Sequence, residues 1–297
     1  LVLISIFLVS AIFLSPCGGH AQAGKKKLTV FVSIPPQKYF VQQIGKQRVD
    51  VQVMVPPGAS PATYEPRPRQ MAAISRTHIY FAIGVPFERT WLKKIAAANP
   101  NMQVVHTDHG IPKIAMTVNH TESEHQRQKD HQGHHGELDP HIWLSPTLVM
   151  TQARTILNAL IEIDPDHKAV YEANTDVFVS KLAALDADLK DIFAGNQGFQ
   201  FMVFHPSWGY FASAYGLQQV PVEIEGKDPK PAQLQALIEH AQKKHIHVIF
   251  VQPQFSSRSA ERVAKEIGAR VIIADPLASD WFANLREVAQ KFKMALK

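Results

Sequence analysis

Short runs of apolar, β-branched residues alternate along this chain with segments whose apolar positions recur every three or four residues. Leu28–Ile34 reads as a buried strand closed by Pro35-Pro36, and the segment after it carries Tyr39, Phe40 and Ile44 at helical spacing. Strand Val51–Val55, helix Arg69–Ser75, strand Ile79–Ile83, helix Phe87–Ala98 and strand Gln103–His106 continue the series. Further on, Thr147–Ile163 predicts a helix ending at Asp164-Pro165. A longer helix is predicted from Asp166 to Phe193, with Val170, Val177, Leu182, Leu185, Leu189 and Ile192 along one face. A second alternation follows: strand Phe201–Phe204, helix Ser207–Tyr215, strand Val220–Ile224, helix Pro231–Lys243, strand Val248–Val251, helix Ser256–Ile267, strand Val271–Ala274 and a last helix from Trp281. Strands alternating with helices at this spacing imply βαβ units. The expected fold is therefore α/β, with two lobes of mainly parallel sheet joined by one long helix and facing each other across a cleft. The expected division is residues 24–163, a linking helix over 164–196, and 197–297.

One stretch breaks the pattern. Eight of the 15 histidines lie between His106 and His141, and His120, His125, His131, His134 and His135 sit among Gln, Lys, Asp, Glu and Gly with no apolar period. A segment so polar buries no core, so residues 116–138 are expected to form a solvated loop. Its imidazoles are suited to weak binding of zinc, copper or nickel.

Composition narrows the class further. With 297 residues, 45% hydrophobic and 19% charged, the chain has material for one large or two ordinary globular units. The formal net charge of +5 is scattered, and no interleaving of basic and aromatic residues supports nucleic-acid binding. Residues 1–23 hold an apolar run and end Ala21-Gln22-Ala23, which predicts a secretory signal peptide and an extracytoplasmic protein. Cys17 is the single cysteine, and Pro16 before it argues against lipid anchoring there. The mature chain then has no cysteine for a disulfide or a metal site.

In parallel α/β sheets ligands bind beyond the carboxyl ends of strands. That rule selects His205, just after Phe201–Phe204, and Asp275, just after Val271–Ala274; His141 opens the ordered region after the polar loop. Two imidazoles and a carboxylate suit zinc or manganese. Glu223, Glu225, Gln252 and Gln254 are alternative polar groups near the cleft, with loop solvation or hydrogen bonding around the ligands as their expected role. No H-E-x-x-H signature, G-x-S-x-G elbow or phosphate-cradling glycine loop occurs.

Several motifs together resemble a known family. Ser33-Ile-Pro-Pro-Gln37, Val55-Pro-Pro-Gly-Ala-Ser-Pro61 with Tyr64-Glu-Pro66, Asp139-Pro-His-Ile-Trp-Leu-Ser145, Phe204-His205 with Gly209-Tyr-Phe211, and Ala274-Asp-Pro276 are similar to the cluster 9 (A-I) solute-binding proteins of metal ABC transporters. The histidine-rich insertion resembles that of the zinc-type branch. The resemblance implies a receptor that carries zinc, or manganese, to a membrane permease and holds it between its lobes with His141, His205 and Asp275; the protein is expected to be a monomer. The family has a fourth ligand, a histidine, where this chain has Ala62; water, Glu65, Tyr64 or a loop histidine is left to fill that position. An exported zinc hydrolase with an open three-ligand site is the alternative from another class.

Overall fold

The computed structural model describes residues 27–117, 137–224, 227–256 and 258–295. The predicted signal peptide, the five loop histidines and Glu225 lie outside them. The first sheet is built from β1 (Leu28–Val32), β2 (Val49–Val53), β3 (Ile79–Ala82) and β4 (Gln103–His106), with α1 (Pro35–Gly45), α2 (Pro68–Ile74) and α3 (Pro86–Ala97) between them. Two helices follow, α4 (Pro146–Ile163) and α5 (Lys168–Phe193). The second sheet comprises β5 (Gln200–Val203), β6 (Gln218–Pro221), β7 (Val248–Val251) and β8 (Arg270–Ile273). Its helices are α6 (Gly209–Ala214), α7 (Pro231–Lys243), α8 (Arg258–Ile267) and α9 (Trp281–Ala295).

Each sheet is four-stranded and wholly parallel, in the order β2-β1-β3-β4 and β6-β5-β7-β8. The predicted α/β architecture with two lobes and a long helix is thus observed. Helix α1 starts with Pro35 and Pro36, whose missing N–H groups cost nothing in a first turn. The long helix begins two residues later than predicted, because Pro165–His167 forms a 3-10 turn first. Strand β6 ends at Pro221 instead of Ile224, yet the ladder continues: Val222 donates to the carbonyl of Val203 and Glu223 to that of Phe204. That continuation holds Glu223 beside the end of β5.

Helix α5, 26 residues, is about 39 Å long at 1.5 Å per residue. It packs on α1 and α4 at one end and α9 at the other. Phe178 meets Phe40, while Phe193 meets Phe211 and Tyr215. One continuous apolar core therefore runs from Val30 in the first lobe to Phe292 in α9, and a smaller one lies among β5, β7, α7 and α8. Such a core couples the lobes mechanically, because close-packed interiors transmit strain.

Candidate metal centre

The cleft is a cavity of about 510 Å³ whose walls come from both lobes. Pro61, Ala62 and Arg89 line it on one side, Glu223, Gln254 and Phe255 on the other, and His141 and His205 meet in it. Their ring centroids are 5.3 Å apart.

His141 caps the 3-10 turn Ile142–Leu144 and is buried. Its Nδ1 lies 2.7 Å from Asp139 Oδ1, which also accepts the His141 backbone N–H at 2.8 Å. Asp139 is held in turn: Tyr210 donates to its carbonyl, and the carboxylate packs so closely on Gly209 that a Cβ there would sit 2.6 Å from Oδ2. His205 repeats the arrangement, with Nδ1 2.7 Å from Glu223 Oε1. Gln252 fixes its backbone in both directions, accepting from its N–H and donating to its carbonyl. Phe255 stacks on the ring at 4.6 Å.

A carboxylate on Nδ1 makes that nitrogen the protonated one and leaves Nε2 with a free lone pair, the usual preparation of a metal-binding histidine. Burial pushes the His141 pKa below its ordinary value, against the pull of Asp139, so the neutral ligand form prevails at neutral pH. Two imidazoles on one tetrahedral zinc, each with Zn–N of about 2.0–2.1 Å, have ring centres roughly 5 Å apart, close to the observed spacing. Glu223 Oε2 and Asp139 Oδ2 are buried without a hydrogen-bond partner among the described residues. That leftover negative potential favours a cation.

Asp275 stands apart. It follows β8 as predicted, but its Oδ1 accepts from Gln254 Nε2 at 2.8 Å and from the Leu277 N–H at 2.9 Å, and it does not line the cavity. Accordingly, no group of three or more His, Cys, Asp or Glu side chains among the described residues is gathered to hold a metal. Tyr64 points elsewhere, its hydroxyl bonded to Gln70 at 2.6 Å in a separate groove, and exposed Glu65 is not in the cavity wall. Ala62 is exposed and does line it. The polar loop leaves and rejoins the fold at an antiparallel bridge between Ala115 and Leu138, beside the Arg89–Glu137 ion pair at the cavity mouth. Asp139 is the functional residue whose role sequence reasoning missed; its place two residues before His141 was the available signal.

Residues 30–295 match the family described as zinc-uptake complex component A, periplasmic (ZnuA). The high-affinity zinc uptake system protein ZnuA of Bacillus subtilis (strain 168) is 29% identical over 281 residues, covering 92% of this chain and 88% of that protein. The zinc-binding lipoprotein AdcA of Streptococcus pneumoniae is 29% identical over 280 residues, and there the match covers 93% of this chain but only 55% of AdcA. Among solved structures, a crystal structure of ZnuA superposes with TM-score 0.84 at 43% identity, covering 92% of this chain and 100% of that one. A zinc-bound ZnuA deletion mutant does so with TM-score 0.82 at 43% identity, covering 92% and 99%. These matches remove the hydrolase alternative, since the relatives are named for zinc uptake and zinc binding. With the family match running almost the whole length of the described fold, this chain belongs to the periplasmic zinc-uptake component A family, the metal-binding receptors of ABC importers.

Proposed function

We propose that this chain takes up a zinc ion between its lobes, with manganese as a poorer cargo, and surrenders it to the membrane permease of its uptake complex. The observation that carries this reading is the pair of imidazoles 5.3 Å apart, one from each side of the cleft, each with its Nδ1 tied to a carboxylate. His141 and His205 are the first ligands of the ion, and Asp275 is the third. Borderline zinc suits imidazole better than manganese does, which favours zinc as cargo. Ala62 offers no donor, so water takes the remaining tetrahedral position, or an imidazole of the 116–138 loop reaches it. The histidines at 120, 125, 131, 134 and 135 hold further, weaker equivalents.

No helix of the described residues is long and apolar enough to cross a membrane. We read residues 1–23 as the signal segment that exports the protein, which then acts as a monomer outside the cytoplasm. Direct titration tests the reading: zinc competed against a chelating dye should show one tight equivalent that disappears in His141→Ala and His205→Ala. Tight binding that survives both substitutions would place the ion elsewhere.

A further inference from the structure

Gln254 and Asp275 stand in an unusual order relative to the cavity. A residue that orients a metal ligand is found behind it, on the side away from the ion. Here Gln254 lines the cavity and Asp275 does not, while the Gln254 amide donates to Asp275 Oδ1 at 2.8 Å. The Leu277 N–H donates to the same oxygen at 2.9 Å, so Oδ1 is tied both to its own turn and to a residue of the cavity wall. The Gln254 carbonyl oxygen, Oε1, is buried with no hydrogen-bond partner among the described residues, so the donor contact to Asp275 is what fixes this side chain.

We infer that Gln254 is a positioning residue that holds Asp275 out of the cavity and has to release it before the carboxylate can reach a bound ion. This rests on the reading of Asp275 as the third ligand. The backbone around Gln254 is poorly placed to move. Gln252 grips the His205 main chain at 3.1 and 2.7 Å, and Phe255 stacks on the His205 ring at 4.6 Å. Release therefore comes from rotation of the Gln254 side chain, with the turn left in place. A hydrogen bond to a charged group is among the stronger kinds, and breaking it on metal entry subtracts its worth from affinity. The latch makes the site weaker than its ligands allow and lets the ion leave faster, which suits a carrier.

The test uses the whole chain and four proteins: native, Gln254→Ala, Asp275→Ala and the double variant. Zinc affinity is measured by dye competition, release by chelator chase, and the ligand set by the visible absorption of the cobalt-loaded protein. Asp275→Ala should bind at least about tenfold more weakly, having lost a ligand. Gln254→Ala should bind about tenfold more tightly, release more slowly and keep the native cobalt band, since a charge-assisted hydrogen bond is lost only from the empty state. In the double variant that gain should vanish. Weaker binding in Gln254→Ala would show that the amide orients a bound carboxylate and would overturn the latch alone. A gain that persists in the double variant, or an altered cobalt band in Gln254→Ala, would also overturn it. Unchanged affinity in Asp275→Ala would instead remove Asp275 from the ligand set, and the latch with it.

Discussion

The two lobes share a backbone plan and differ in what their strand ends are used for. Ser33 donates to the carbonyl of Phe81 as Phe204 does to that of Phe250, and Thr107 donates to Ala82 as Ala274 does to Val251. The ladders thus match Asp108 with Asp275, Val55 with Glu223 and Ile34 with His205. In the first lobe the polar groups there are spent on the lobe itself. Ser33 pairs with Tyr80, Gln37 with Thr107, buried Glu88 takes the N–H groups of Ile83 and Gly84, and Asp108 holds Lys113 at 2.6 Å. In the second lobe the strand ends present His205 and Glu223 to the cleft, with Gln252 holding the His205 main chain and Gln254 holding Asp275. The first lobe supplies its imidazole from a different place, the 3-10 turn after the polar loop. Strand-end topology selects where ligands can stand, and internal hydrogen bonding decides which of those positions are free to bind.

If each lobe supplies one indispensable imidazole, His141→Ala and His205→Ala should be equally damaging. Each should exceed the roughly 10–100-fold loss that follows removal of a ligand's hydrogen-bond partner. A large inequality in dye-competition affinities would show that one lobe binds the ion alone. The next largest effect should come from giving the first lobe a second ligand. Ala62→His places an imidazole in the cavity wall and should tighten zinc binding by about tenfold or more, with a steeper pH dependence, because one more ligand has to stay unprotonated. Unaltered affinity and pH dependence would mean that position 62 does not face the ion.

A smaller, asymmetric effect is expected behind the ligands. Glu223→Gln should weaken zinc binding by about tenfold with little change in unfolding midpoint, whereas Asp139→Asn should lower both. Asp139 is fully buried and also bonds the His141 main chain, so its substitution disturbs the turn itself. Equal urea midpoints for the two variants would erase that distinction. The smallest effect concerns protons. Burial lowers the pKa of His141 in the folded state below the unfolded value of about 6.5, so below that pH the unfolded chain takes up a proton that the folded one refuses. The stability tied to His141 is therefore present above about pH 6.5 and is lost as pH falls from there to the folded pKa. Urea unfolding of the metal-free protein at several pH values should show His141→Asn flattening that slope.

Much of this was legible in the sequence, for reasons that differ from element to element. Strands β3 and β7 are apolar throughout because both faces are covered, and their runs were read with bounds within one residue. The edge strand β6, Gln218–Pro221, begins with two glutamines, so composition placed it two residues late; hydrogen bonding to β5 outweighs apolar content there. His205 was recoverable because it stands at a strand end, and His141 because an apolar run follows it. Asp139 was not assigned its role, and Gln254 was placed among the hydrogen-bonding groups without the direction of its amide, since a glutamine's direction and a carboxylate's partner are set by rotamers and tertiary contact, which no spacing encodes. Tyr64 was suggested by proximity along the chain to Ala62, but its hydroxyl turns to Gln70.

Trp281 has a consequence for the order in which the chain folds. It opens the last helix, yet its ring lies edge-on to Phe40 at 5.1 Å and its indole N–H is bonded to the carbonyl of Trp143. The core around the first helix is thus sealed by a residue synthesised some 240 positions later. The first lobe's core is therefore complete only when the end of the chain is available, and contacts of such long sequence separation form slowly. Until Trp281 is made, the core beside Phe40 and Trp143 lacks the ring that covers it. For a periplasmic family such as this one, a core that closes only with the last helix leaves the earlier chain open for passage across the membrane.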